Sequence, residues 1–162
     1  MPRSIPSIFI HGLESSGQGF KGKMFKKLFP GLLAPDFHGA LEERMARLRP
    51  LLALRADWII IGSSFGGLMA AIYAREIPAR VKRLILLAPA LLCPEFASDP
   101  LPAISVPADI YHGTKDAVIP LEPVRILAGK VFSRLTFHVV DDDHILHKTV
   151  GEIDWPALFT EH

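Results

Sequence analysis

The chain has 162 residues, of which 49% are apolar and 22% are charged, proportions that exclude a disordered chain and indicate a folded globular protein. Its formal net charge of +1 provides no basic surface for nucleic acid or anionic lipid. The single cysteine excludes an intrachain disulfide and an all-thiolate metal site. Length predicts one domain over residues 1–162. No cluster of His, Cys and Asp has metal-ligand spacing, so we expect no metal and no other cofactor, and the small net charge predicts no nucleic-acid partner.

No segment of the sequence predicts a membrane span. The most apolar stretch, Leu84–Pro94, is interrupted by Pro89 and is shorter than the ~18–20 residues that a span requires. The N-terminus, Met1–Ser4, has one positive charge and is followed by no long apolar segment, so we expect no signal peptide. These features predict a soluble, cytoplasmic protein.

Predicted strands and helices alternate along the chain. Apolar β-branched runs predict strands, whereas apolar residues at helical spacing predict helices. In chain order the sequence predicts strand 7–10, loop 13–22, helix 23–29, short strand 32–34, helix 40–54 kinked or split at Pro50, strand 58–61, helix 65–74, strand 81–88, a Pro-rich connection 89–107, strand 108–112, helix 121–130, strand 135–140 and a mixed segment 145–159. This alternation predicts a three-layer α/β fold, a mostly parallel sheet with helices on both faces.

A nucleophile motif follows one of the buried strands. The residues Gly62-Ser63-Ser64-Phe65-Gly66 match Gly-x-Ser-x-Gly between a predicted strand and a predicted helix, which is the context that this motif requires. Glycines allow a tight strand-to-helix turn that exposes the central serine at the carboxyl edge of the sheet. Ser63 lacks the flanking glycines, so the motif identifies Ser64 as the nucleophile.

A serine nucleophile needs a histidine base, which in turn needs a carboxylate to orient it. In folds with this motif the chain order is Ser, then Asp or Glu, then His. Asp116 and His144 have this order, and each follows the end of a predicted strand. His147 is the competing base, whereas Asp141, Asp142 and Asp143 are predicted to form a solvated turn because they are too near His144 in sequence to hold its ring.

The combination of motifs resembles the α/β-hydrolase superfamily over nearly the whole chain. The matching pieces are His11-Gly12, Gly-x-Ser-x-Gly, His-Gly-x-x-Asp from His112 to Asp116, and Asp143-His144. His-Gly-Leu-Glu-Ser-Ser together with Gly-Ser-Ser-Phe-Gly-Gly is similar to the small bacterial carboxylesterases of the YqiA type. The resemblance implies an oxyanion hole made by the backbone N–H groups of Leu13 and Phe65.

The resemblance also implies a reduced version of this fold. The first predicted strand already carries His11-Gly12, so the early antiparallel strands of the superfamily are expected to be missing. The connection 89–107 is too short for a large cap and is expected to form a small cap-like segment. Its apolar residues either line an acyl pocket or cover the core; they are Leu91, Leu92, Phe96, Leu101 and Ile104.

The glycine-rich loop offers a competing nucleotide-binding interpretation. Gly17 to Gly22 matches Gly-x-Gly-x-x-Gly, with Asp36 at the distance of a ribose-binding acid, and Gly17, Gly22 and Lys23 match part of a P-loop. Residues 12–16 lie between the preceding strand and these glycines, however, and Met24 occupies the position of the Mg²⁺-binding hydroxyl. A flexible loop beside the site is therefore the favoured interpretation.

The sequence as a whole predicts a serine hydrolase that cleaves a small carboxylic ester or thioester through an acyl-enzyme on Ser64. The first alternative is a non-catalytic ligand-binding protein on the same fold. The second is a nucleotide-binding protein that uses the Gly17–Lys23 loop.

Overall fold

The computed structural model describes residues 4–160, so residues 1–3, on which the expectation of no signal peptide partly rests, lie outside it. Five strands form the sheet: β1 (Ser7–Ile10), β2 (Trp58–Ser63), β3 (Val81–Leu87), β4 (Ala108–Gly113) and β5 (Leu135–Val140). They lie side by side in chain order, and all four pairings are parallel. Each strand is therefore connected to its neighbour by a crossover, and all carboxyl ends lie at one edge.

Seven α-helices cover this sheet within the described residues. They are α1 (Phe20–Leu28), α2 (Leu41–Ala53), α3 (Phe65–Glu76), α4 (Pro94–Ala97), α5 (Leu121–Val131), α6 (His147–Glu152) and α7 (Trp155–Thr160). A short 3₁₀ helix, Pro78–Arg80, precedes β3. In residues 4–160 no helix combines the length and the apolarity that crossing a membrane requires.

The sheet separates two apolar cores. Alternate side chains of β1 and β2 point to opposite faces, as the period of a strand requires. Ile8 and Ile60 pack with α2, α3 and α5, whereas Phe9 and Ile61 pack with α1, α6 and α7. The predicted three-layer α/β architecture with a parallel sheet is thus confirmed.

The bounds of several strands and helices differ from the predicted ones. The segment 32–34 is not a full strand, because only Leu33 forms a bridge, to Ile8. Helix α1 begins at Phe20, three residues before its predicted start, and α2 continues across Pro50 without splitting. The mixed C-terminal segment forms the two short helices α6 and α7.

The connection 89–107 contains one helix of four residues, α4. Leu91, Phe96 and Ile104 are almost fully buried in the core on the α3 side, and Leu92 and Leu101 pack against the same core. Of the two possibilities left by the sequence, these residues therefore cover the core.

Glycines permit the close packing of α3 against β1 and β2. A Cβ atom on Gly66 would overlap the backbone carbonyl of Ile10, and one on Gly62 would collide with the backbone of Gly66. Backbone atoms cannot rotate away from such a collision as a flexible side chain can. The glycines of the Gly-x-Ser-x-Gly motif therefore place the start of α3 directly against the end of β1.

We expect Gly66→Ala to lower the free energy of unfolding by about 1–3 kcal/mol, because the added methyl must displace the β1 backbone. Urea unfolding at neutral pH measures this loss. The matched control is Gly129→Ala in α5, where nothing lies within 4 Å of the new methyl and alanine is the better helix former. Equal stability of the Gly66→Ala variant and the unmodified protein would contradict the packing argument.

Candidate active site

Ser64 occupies the sharp turn between β2 and α3. Its φ of 55° and ψ of −114° lie in a region that residues with a side chain rarely adopt. Backbone hydrogen bonds hold this conformation, since Ser64 N–H donates to Leu87 O at 2.9 Å and Ser64 O accepts from Ala90 N–H at 2.9 Å. The end of β3 and the residues that follow β3 thus hold the turn in place.

The structure brings Ser64, His144 and Asp116 together in one hydrogen-bonded array. The Ser64 Oγ lies 3.1 Å from His144 Nε2, and His144 Nδ1 lies 2.7 Å from Asp116 Oδ2. An ionised carboxylate only accepts hydrogen bonds, so Nδ1 carries the proton and Nε2 is free to accept from the serine hydroxyl. This is the tautomer in which histidine can take a proton from Ser64. We call these three residues the Ser64–His144–Asp116 array.

The carboxylate of Asp116 is held in its ionised form. Its Oδ1 accepts the N–H groups of Val118 and Ile119, both at 2.8 Å. Burial raises the pKa of Asp116, but the hydrogen bonds from Ile119 N–H, His144 and Val118 N–H outweigh it, so the pKa lies below its ordinary value. Asp116 therefore stays charged at neutral pH and fixes the ring of His144.

His112 is a second histidine at the same carboxylate, and the sequence analysis gave it no role. Its Nε2 lies 2.9 Å from Ile119 O and 3.3 Å from Asp116 Oδ2, so this nitrogen carries the proton. The ring is fully buried, and Nδ1 has no hydrogen-bond partner among the described residues. His112 thus links the end of β4 to the loop that holds Asp116. The sequence signal was its position in His-Gly-x-x-Asp.

The loops that carry Asp116 and His144 are tied together. A Cβ atom on Gly113 would overlap the carbonyl of Asp142, so this glycine lets the two loops touch. Lys115 N–H donates to Asp142 O at 3.0 Å, and Lys115 Nζ pairs with Asp141 at 2.9 Å on the surface. These contacts keep the acid and the base at a constant separation.

The three aspartates before His144 have different surroundings. Asp141 forms the exposed ion pair with Lys115, whereas Asp142 accepts from both the N–H and the hydroxyl of Thr149 at the start of α6. Asp143 accepts from the N–H groups of the next turn. The prediction of a solvated turn thus fits Asp141. Asp142, in contrast, holds the start of α6 and so helps to fix the loop that carries His144.

His147 lies outside the array. Its ring stacks on Phe20, with the ring centres 4.1 Å apart. The structure therefore brings His144, and not its competitor His147, to Ser64 and Asp116.

The expected oxyanion donors, Leu13 and Phe65, are each adjacent in sequence to a residue of the Ser64 turn or to one packed on it. Phe65 follows Ser64 directly, and Leu13 follows Gly12, whose Cβ position lies 3.4 Å from Ser64 Cβ. Within residues 4–160, neither the Leu13 N–H nor the Phe65 N–H donates a hydrogen bond. Both N–H groups are thus without an acceptor in the part of the chain that the structure describes.

His11 supports the loop that carries Leu13. The ring is fully buried: Nδ1 donates to Gly12 O at 2.7 Å, and Nε2 accepts the N–H of Phe37 at 2.9 Å. Only a neutral ring can make both bonds. Burial lowers the pKa of His11, and the nearby positive charge of Arg44 adds to this effect.

The glycine-rich loop uses its glycines for packing. Gly22 lies inside α1, where a Cβ would overlap the carbonyl of Gly17, and Gly17 itself packs on the backbone of Ala34. Asp36, the ribose-binding acid in the competing nucleotide interpretation, accepts the N–H of Gly17 at 2.7 Å. The features that suggested a nucleotide site thus join the loop to segment 34–36. No cluster of metal-ligating side chains occurs in the part of the chain that the structure describes.

Comparisons with known proteins agree with this architecture. No curated protein matches the chain. One protein family, described as the alpha/beta hydrolase fold, matches residues 30–102, a segment that contains Ser64 and ends before Asp116 and His144. Est1E from Butyrivibrio proteoclasticus, solved with ferulic acid bound, is 18% identical with a TM-score of 0.77, over 93% of this chain and 86% of that one. The chain has the α/β-hydrolase fold.

Two further solved structures extend this likeness. A protein of the alpha/beta hydrolase superfamily from Xanthomonas campestris pv. campestris is 25% identical, with a TM-score of 0.74 and 90% coverage of each chain. A monoacylglycerol lipase from Paleococcus ferrophilus is 17% identical, with a TM-score of 0.69, over 95% of this chain and 94% of that one. These neighbours share the fold of the chain, whereas the resemblance to YqiA-type carboxylesterases stays a prediction.

The lowered pKa of His11 makes stability depend on pH. Between the folded pKa and the ordinary value of 6.5, the unfolded chain binds more protons than the folded one, so acidification favours unfolding. We expect the free energy of unfolding to fall below pH 6.5, by at most about 1.4 kcal/mol per pH unit for this one group.

Urea unfolding between pH 5 and 8 measures this dependence. His11→Asn should be less stable but should show a smaller slope, because it removes the buried ring whose pKa is lowered. An unchanged slope in His11→Asn would assign the pH dependence to other groups.

Proposed function

We propose that the protein is a serine hydrolase that cleaves small carboxylic esters or thioesters through an acyl-enzyme on Ser64. One observation carries this proposal: the hydrogen-bonded Ser64–His144–Asp116 array, with distances of 3.1 and 2.7 Å, at the carboxyl edge of the sheet. Parallel α/β folds bind their ligands at this edge. The backbone N–H groups of Leu13 and Phe65, which donate no hydrogen bond within residues 4–160, support the same chemistry.

In the first half of the reaction, Ser64 Oγ attacks the carbonyl carbon of the ester while His144 Nε2 takes the hydroxyl proton. The charged Asp116 stabilises the imidazolium that results. The negative charge on the carbonyl oxygen is stabilised by the N–H groups of Phe65 and Leu13, each contributing about 2.7–4 kcal/mol in comparable sites. The tetrahedral intermediate then expels the alcohol or thiol, which takes the proton from His144.

In the second half, water replaces the alcohol or thiol. His144 Nε2 takes a proton from water, whose oxygen attacks the acyl carbon, and the same N–H groups stabilise the second oxyanion. Collapse of this intermediate returns the proton to Ser64 Oγ and releases the carboxylic acid. Every proton transfer passes through the one histidine whose ring Asp116 orients.

Ser64→Ala should abolish ester and thioester hydrolysis and prevent labelling by a fluorophosphonate, because it removes the attacking oxygen. Intact mass and peptide mapping after exposure to the reagent detect the adduct, and a panel of 4-nitrophenyl esters and acyl thioesters measures turnover. Ser63→Ala is the matched control, since Ser63 is the adjacent serine and should remain dispensable. Turnover that persists in Ser64→Ala would overturn the proposal.

His112 is proposed as a positioning residue for Asp116. His112→Leu removes the donor to Ile119 O and Asp116 Oδ2, so we expect kcat and the rate of fluorophosphonate labelling to fall about 10-fold, with little change in KM. His112→Gln can restore an N–H near the position of Nε2 and should recover most of the rate. Normal kcat and labelling rates in a folded His112→Leu variant would contradict this role.

A further inference from the structure

Arg44, in the first turns of α2, is a buried charge without a counter-ion. The residue is 4% exposed, and Nε donates to Gly39 O at 2.9 Å. Nη1 is buried and has no hydrogen-bond partner among residues 4–160, and within that range no carboxylate forms an ion pair with the guanidinium. Removing such a charge from water is costly unless an anion compensates it.

The guanidinium lies against the side chain of the residue that follows the nucleophile. Its central carbon is 5.4 Å from the centre of the Phe65 ring, and Phe65 is the residue after the nucleophile. The positive charge of Arg44 also lowers the pKa of His11, which precedes Gly12, the residue packed against Ser64. Arg44 thus lies against the side chain of Phe65, one of the proposed oxyanion donors, and near enough to His11 to affect its pKa.

Arg47, one helical turn later in α2, makes similar contacts but is exposed. Its Nε also donates to a backbone carbonyl, that of Asp36 at 2.8 Å, and its guanidinium lies 5.9 Å from the ring of Phe37. Arg47 is exposed, so water satisfies its remaining donors. An exposed arginine can therefore also bond a backbone carbonyl and lie near an aromatic ring. These two contacts do not account for the burial of Arg44.

From the burial, the unpartnered Nη1 and the position against Phe65, the residue after the nucleophile, we infer that Arg44 binds an oxyanion group, a carboxylate or a phosphate, on the substrate. This inference rests on the proposed hydrolase function and specifies its substrate class as an anionic ester or thioester. A guanidinium matches such a group with two parallel N–H···O bonds. His11 contributes no competing charge, because its two hydrogen bonds keep it neutral.

The anion can lie on the acyl side or on the alcohol side of the ester, and two isosteric substrate pairs distinguish these positions. The acyl pair is the mono-4-nitrophenyl ester of adipic acid and the corresponding ester of adipic acid monoamide. The alcohol pair is 4-carboxyphenyl acetate and 4-carbamoylphenyl acetate. Each pair compares a carboxylate with a neutral amide of the same shape.

We expect the unmodified protein to prefer the carboxylate in one pair by about 10- to 100-fold in kcat/KM, the range of a hydrogen bond to a charged group. In Arg44→Met this ratio should fall toward one, whereas Arg44→Lys, which keeps the charge, should retain part of it. Arg47→Met is the matched control and should keep the full ratio. No preference in either pair, or an equal loss for both members in Arg44→Met, would overturn the inference.

Direct binding separates this inference from the proposed function. Calorimetric titration of acetate and of inorganic phosphate into the Ser64→Ala variant, at constant ionic strength, should detect an anion site that disappears in Ser64→Ala/Arg44→Met. Esters that are hydrolysed without a carboxylate preference would refute the role of Arg44 and leave the hydrolase intact. If no ester is hydrolysed and Ser64 is not labelled, the function fails, and the titration alone decides whether Arg44 holds an anion.

Discussion

The contact of the α3 backbone with the end of β1 is the constraint on which the site depends. Because Gly66 has no side chain, the first turn of α3 lies against the carbonyl of Ile10. Ser64, the residue directly before α3, adopts a positive φ in the tight turn that results. The same contact brings Gly12, and with it Leu13, beside the serine. One close approach of two backbones therefore sets the positions of the nucleophile and of both candidate oxyanion donors.

Three buried or half-buried histidines at the carboxyl edge of the sheet each make a different set of hydrogen bonds. His11 satisfies backbone groups of two loops and is neutral, His112 joins β4 to the loop of Asp116, and His144 connects Asp116 to Ser64. Only His144 contacts a group that can react. The other two fix the backbone on either side of it, so the array is held by hydrogen bonds in addition to apolar packing.

The sequence predicted the sheet and the residues of the array because both depend on local patterns. β-branched runs mark buried strands, and Gly-x-Ser-x-Gly and His-Gly-x-x-Asp mark turns that carry Ser64 and Asp116. Long-range contacts account for the features that the sequence did not predict. Gly22 lies in α1 because it packs on Gly17, a contact that no helical pattern reveals. The bond of His11 to Phe37 and the burial of Arg44 likewise arise only after folding.

The strand order has a consequence for how the site assembles as the protein folds. Neighbours in the sheet are neighbours in the chain, so the sheet can grow strand by strand from β1 to β5. The bond between His144 and Ser64, in contrast, joins residues 80 positions apart and requires β3, β4 and β5 to be in place. Any partly folded form in which β5 has not docked therefore lacks the base of Ser64, so reactivity at Ser64 reports that β5 is in place.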